Sequence, residues 1–140
     1  MTHTNRETTI HEIESNLSIM IRRYRRTIND LLGSELTAHE FFFLSCLYKN
    51  QPETASAIAK RLEVSPSYAT NVVDKLIRKN YVARKRSESD RRIIQLTVTA
   101  EGNALYQKLS AVRREYANEM FKEINDEELE QLSMLLGKLN

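Results

Sequence analysis

From Tyr81 to Thr99 the apolar residues leave a helical period, alternate one in two, and then return to the helical period. That switch constrains the fold more than any other feature. Tyr81-Val82-Ala83-Arg84-Lys85-Arg86 and the run from Arg92 to Thr99 both suit strands, with Ile94, Leu96 and Val98 alternating on one face. The polar stretch between them makes a hairpin inside an otherwise helical chain. An ordinary turn would use Gly, Asn or Pro for backbone reasons. Ser87-Glu88-Ser89-Asp90-Arg91-Arg92 contains none of them, so the two adjacent arginines need a reason of their own.

Upstream, Ile10, Ile13, Leu17, Met20, Ile21, Tyr24, Ile28, Leu31 and Leu32 recur at spacings of three and four, predicting a helix over residues 9–32 that stops at Gly33. Thr37-Ala38-His39-Glu40 is a capping-box pattern opening a second helix, which ends near Asn50-Gln51-Pro52. A short helix follows from Thr54 or Ser56. After Glu63-Val64, Ser65-Pro66 places a cap residue before a first-position proline and starts another helix, to about Lys79. Three residues between two short helices is helix-turn-helix spacing. Beyond the hairpin, a long helix from Thr99 carries Leu105, Leu109, Val112, Tyr116, Met120 and Ile124. A last helix from Asp126 carries Leu129, Leu132, Leu136 and Leu139. The fold class expected is mainly α: a winged helix-turn-helix over residues 37–99, with terminal helices over 9–32 and 100–139. The terminal stripes are more apolar surface than so small a module can cover, and a second copy is the economical cover.

Charge is unevenly placed. The net charge is only +2, yet Lys60 to Arg92 holds ten Lys/Arg against four acids, +6, leaving the rest at −4. A basic middle in an acidic frame is the footprint of a polyanion-binding module. No apolar run approaches the roughly 20 residues of a membrane span, and the N-terminus lacks a signal-peptide pattern. A single Cys excludes an intramolecular disulfide, so a reducing cytoplasm is the expected location. No phosphate loop, nucleophile elbow or paired-histidine motif supports an enzyme.

Asp90-Arg91-Arg92-Ile93-Ile94-Gln95-Leu96-Thr97-Val98-Thr99-Ala100-Glu101-Gly102 resembles the wing motif of the MarR (multiple antibiotic resistance regulator) family: Asp, any residue, Arg, alternating apolar residues, Thr, two residues, Gly. Ala69-Thr70-Asn71-Val72-Val73-Asp74-Lys75-Leu76 resembles its recognition-helix block, and Tyr81-Val82-Ala83-Arg84 the strand that follows. The resemblance spans residues 10–139. It implies a homodimeric transcription factor, a repressor by default, whose recognition helices enter major grooves of a pseudo-palindromic operator while the wings reach minor grooves. Ser65, Ser67, Tyr68, Thr70 and Asn71 on the first turns of the recognition helix are then the expected DNA contacts. Lys75, Arg84, Lys85, Arg86, Arg91 and Arg92 extend the set. Asn71 stands where many relatives carry a basic residue, so the base preference cannot be borrowed. An Arg at the wing tip suits a narrow minor groove. Asp90, of the wrong charge for DNA, is expected to brace Arg92 or another wing arginine.

The family also binds small aromatic or phenolic ligands between dimer helices and winged module. Tyr24, His39, Phe41, Phe42 and Tyr48 are the candidate lining, although a packed core would use the same side chains. Cys46 sits mid-helix among Phe42, Phe43, Leu44 and Leu47 and reads as a structural thiol; an oxidant-sensing regulator is the alternative it leaves open. A winged-helix protein-interaction module without DNA binding is a second alternative, against which the basic wing argues. His3, His11 and His39 share no ligand spacing with one another or with Cys46, so neither a metal nor a cofactor is expected, although His39-Glu40 could contribute to a metal site assembled across the fold. Arg22-Arg23-Tyr24-Arg25-Arg26 could touch DNA, but it sits on the expected dimer helix, and an ordinary solvated face or an intersubunit ion-pair face with the acidic stretch from Glu115 to Glu130 is the expectation.

Overall fold

The computed structural model describes the backbone of residues 2–140 and the side chains from Asn5 onward. Its order is α1 (Thr2–Leu32), α2 (Ala38–Asn50), α3 (Ala55–Arg61), α4 (Pro66–Arg78), β1 (Val82–Arg86), β2 (Ile94–Val98), α5 (Ala100–Met120) and α6 (Asp126–Gly137). Helix starts follow local chemistry. Thr37 and Glu40 form the reciprocal capping box of α2, and Thr54, Ser65 and Thr99 each accept from an amide three residues on. A second capping box, Asn125 with Glu128, opens α6.

The ends of α3 and α4 share one device. Val64 and Glu63 amides reach back to the Ala59 and Lys60 carbonyls, and Tyr81 and Asn80 amides to those of Leu76 and Ile77. Glu63 (φ 54°) and Asn80 (φ 67°) take the left-handed conformation at the turning position of each. This is the Schellman stop, met here without glycine.

One core is shared by seven of the eight elements, all but α6. Ile28 and Leu32 of α1, Phe41, Leu44 and Leu47 of α2, Ile58, Ala69, Leu76, Val82, Leu96, Leu105 and Leu109 are all buried. The strands pair antiparallel from Val82↔Val98 to Arg86↔Ile94. Glu53 bridges Leu96 on the other edge of β2, and Gln51 Oε1 accepts from the Val98 amide at 2.9 Å. The α2–α3 connection thereby covers an edge that would otherwise stay open.

Several bounds differ from the sequence expectation. α1 begins at Thr2 rather than near Thr9, because a helix already nucleated propagates through polar residues that no apolar stripe marks. α5 stops at Met120, so Ile124 lies in the linker before α6. Of the alternating Ile94, Leu96 and Val98, only Leu96 is buried, and Ile94 is 45% exposed. Ile94 pairs with Arg86 at the tip end of the hairpin, two residues beyond the buried Leu96. No helix among the described residues is long and apolar enough to cross a membrane.

Candidate nucleic-acid interface

Burial on one face of α4 leaves the other free. Ala69, Val72, Val73 and Leu76 face the core, so Ser67, Thr70, Asn71 and Lys75 point outward and are exposed. Ser65 both caps, accepting from the Tyr68 amide at 3.2 Å, and stays exposed beside Ser67. The outward face carries short hydroxyl and amide side chains near the helix start, with a cation one turn further on. Such groups reach base edges and phosphates without a long entropic search.

The wing tip is a structured loop. Ser87 donates its amide to Ile93 O, and Ile93 donates its own to Asp90 O. Arg86 Nη1 donates to Arg91 O at 2.8 Å. Asp90 Oδ1 accepts from both the Arg92 amide (3.1 Å) and Arg92 Nε (3.2 Å), and Oδ2 faces Nη2 at 3.4 Å. These bonds from the Arg92 guanidinium, then from its amide, hold the Asp90 carboxyl below the usual carboxylate range. The turn is made by side chains rather than by Gly or Pro. Arg92 remains 91% exposed, so it is directed without being hidden. Among the described residues the Arg91 guanidinium has no such tether, and Arg91 is likewise exposed.

Other basic residues of the expected set are divided by their partners. Arg84 is paired with Asp74, tying β1 to α4. Lys85 faces Glu88 at 4.0 Å on an open surface. Lys75 is exposed without a salt bridge among the described residues. Arg86 has the tip-holding bond already given. The Asp74 contact is one that no local pattern announced, since its partner lies ten residues away on another element.

The motif's Thr and Gly also find a physical reason. Thr99 caps α5 by accepting from the Gly102 amide at 3.0 Å, and its hydroxyl donates to Asn80 O at 2.7 Å. A Cβ on Gly102 would stand 2.1 Å from the Tyr81 carbonyl oxygen. The long helix therefore starts directly against the end of the recognition unit.

The five residues named for an aromatic pocket separate into three places. His39 and Phe42 line a cavity of about 300 Å³ together with Tyr68, Phe43, Arg25 and Asn29. Tyr68 stands edge-on to His39 and to Phe43, with centroids 6.3 and 6.0 Å apart. Phe41 and Tyr48 instead both stack with Tyr106, at centroid distances of 6.0 and 4.1 Å, and Tyr24 packs by Tyr116. The Phe41 and Phe42 rings touch, with centroids 6.3 Å apart, but only Phe42 lines the cavity. Tyr68, expected on the DNA face, is also a wall of this cavity.

Cys46 is half-buried, and burial, then the charge of Glu53, pushes its thiol up. Such a thiol holds little thiolate. Among the described residues no group of His, Cys, Asp and Glu is placed to hold a metal; the His3 side chain lies outside them. Arg22, Arg23, Arg25 and Arg26 are exposed, and among the described residues no ion pair joins them to the acidic stretch within one chain.

A model of the MarR family matches residues 36–94. An uncharacterised HTH-type transcriptional regulator of Bacillus subtilis, YpoP, is 34% identical over 131 residues, covering 94% of this chain and 93% of its own. The HTH-type transcriptional repressor MdtR of the same organism is 34% identical over 129 residues, covering 91% and 83%. Among solved structures, Streptococcus pneumoniae FabT in complex with DNA shares the fold, with a TM-score of 0.83 at 23% identity and coverage of 93% and 94%.

Proposed function

Given that this chain belongs to the MarR family of winged-helix transcriptional regulators, we propose that it acts as a homodimeric repressor through the faces of α4 and the wing described above. Its function is DNA binding in transcription control, not catalysis. The observation that carries the residue assignment is the Asp90–Arg92 bracket: an acid on the basic wing is bonded to the arginine it would otherwise only neutralise. Recognition by Ser67, Thr70 and Asn71, phosphate contacts by Ser65 and Lys75, and minor-groove insertion by Arg91 and Arg92 make up the interface. Arg84 acts on the wing's placement through Asp74, and Arg86 on its tip.

Dimerisation is supported by the apolar residues that one chain leaves open: Ile10, Ile13, Leu17 and Met20 on α1, Met134, Leu135 and Leu136 on α6, and Leu139 just past its end. The dimer helices 9–32 and 100–139 flank a DNA-binding unit over 37–99. Two-fold symmetry then calls for inverted half-sites about one helical turn, roughly 10 bp, apart. In vitro selection of duplexes, followed by sedimentation of the complex, tests this. An inverted repeat bound by two chains is expected, and a selected site lacking symmetry with one chain bound rejects it.

The cavity between Arg25, His39, Phe42 and Tyr68 supports a small aromatic or phenolic effector, because the wall it shares with α4 is Tyr68 itself. Calorimetric titration with a panel of phenols, repeated on Phe42→Ala, tests the site. Binding that is indifferent to Phe42 rejects this location.

A further inference from the structure

Residues 33–37 join the long first helix to the DNA-binding unit, and polar contacts tie this connection to three helices. Asn29 Oδ1 accepts from the Ala38 amide at 2.8 Å, linking the last turns of α1 to the first of α2. Glu40 uses both oxygens: Oε1 accepts from the Thr37 amide at 3.2 Å and Oε2 from Lys79 Nζ at 2.8 Å. The same ammonium group donates to Glu35 O at 3.2 Å, while the Glu35 carboxylate faces Lys108 of α5 at 3.6 Å. Lys79 is the C-cap of α4. One cation therefore fastens the far end of the recognition helix to the α1–α2 connection and to α2.

Stability alone does not account for this pair. The capping box needs Glu40 but no cation, because Thr37 and Glu40 already satisfy one another. The Glu40 side chain is 7% exposed but that of Lys79 is 38% exposed, and an ion pair open to solvent on one side gains little net stability after desolvation and screening. What a directed ion pair adds is a fixed separation and orientation, the best-attested use of such pairs.

We infer that Lys79–Glu40 is a positioning latch that sets the angle of the recognition helix against α1, and hence the separation of the two recognition helices in the dimer. The inference rests on the DNA-binding reading above. Leverage makes a small change at the latch visible at the DNA. α4 has 13 residues, about 20 Å of helix at roughly 1.5 Å per residue. A tilt of about 10° at its C-terminal end moves the DNA-facing end by roughly 3.5 Å, close to one base-pair step of about 3.4 Å.

The test compares the full-length parent, Lys79→Met and Lys79→Arg on two duplexes: the selected inverted repeat, and the same repeat with one base pair inserted between half-sites. Lys79→Met should lose about tenfold on the selected duplex, within the range for residues that modulate coupling without touching the ligand. It should stay near the parent on the lengthened duplex, so that spacing discrimination collapses. Lys79→Arg, which keeps the cation, should retain most of the discrimination. An unchanged ratio in Lys79→Met, or equal losses on both duplexes, overturns the latch and leaves a plain structural contact. Should Lys79→Met lose its helical circular dichroism, Glu40→Gln, which keeps the cap acceptor, is read by the same ratio. A parent protein that selects no inverted repeat refutes the DNA-binding reading instead, a result separate from either.

Discussion

The winged unit and the two ends of the chain carry comparable apolar stripes and treat them in opposite ways. Around the winged unit, Phe41, Leu44, Leu47, Ile58 and Leu76 are all at or below 2% exposure. Along α1 from Ile10 to Ile21, and from Met134 on α6 to Leu139 just past its end, the large apolar residues are 37% to 75% exposed. α5 changes character along its own length, burying Leu105 and Leu109 and leaving Val112, Tyr116 and Met120 only half-covered. A helical period reports that a face is apolar and is silent about what covers it. In the centre the cover comes from the same chain. At the ends, under the proposed function, it comes from a second copy.

Breaking each half should give different signatures. Leu44→Ala removes a fully buried side chain, and a loss of about 2–5 kcal/mol is expected in urea unfolding, at every protein concentration. Ile13→Asp should leave helicity largely intact and convert the protein to monomers in sedimentation at low micromolar concentration. A dimer that survives Ile13→Asp would move the interface off this stripe.

The next effect separates binding from folding. Arg92→Ala should weaken operator binding by about 1–3 kcal/mol, the scale of one well-placed contact, without shifting the unfolding midpoint, since among the described residues its side chain bonds to Asp90 alone. The loss should grow on sites with an A·T-rich minor groove at the wing position. Asp90→Ala should also weaken binding, by less. Coulomb reasoning gives the reverse sign, because deleting an acid near phosphates ought to help. Fluorescence anisotropy at fixed salt decides between them: tighter binding by Asp90→Ala would mean the carboxylate is merely repelled.

Acid provides a gentler probe of the central unit. Burial works to raise the Glu40 carboxyl, but hydrogen bonds from Lys79 and Thr37 and the Lys79 charge together hold it below its ordinary value. A group depressed in the folded state contributes stability above its unfolded value, and that contribution fades as pH falls through the folded one. Glu40→Gln should therefore lose less stability than the parent between neutral pH and the acid limb, in thermal melts at stepped pH. Identical slopes would show that the Lys79 pair carries no such linkage.

The smallest expected change is a gain. Glu63 holds a left-handed conformation that costs an L-residue with a side chain about 1–2 kcal/mol, partly returned to the unfolded chain when glycine replaces it. Glu63→Gly should raise stability by up to about 1 kcal/mol, whereas Asn80→Gly should be nearly neutral, because Asn tolerates that region. A destabilised Glu63→Gly would mean that the Glu63 side chain contributes more than its backbone strain costs.

What the sequence by itself determined is what acts over three or four residues. The Thr37–Glu40 box, the Ser65-Pro66 start, the Thr99 cap and the Asp90–Arg92 bracket all close within one turn, where chain geometry alone brings the partners together. The helical and alternating periods likewise placed the elements, except where a helix ran on without an apolar face or a strand outran its core. Tertiary structure decided the rest. It joined Arg84 to Asp74 and Lys79 to Glu40, the latter across 39 residues. It also sent Phe41 and Tyr48 to Tyr106 while leaving Phe42 and His39 on the cavity with Tyr68. Such partners depend on how several helices pack at once, and a one-dimensional pattern holds the faces of those helices without the angles between them.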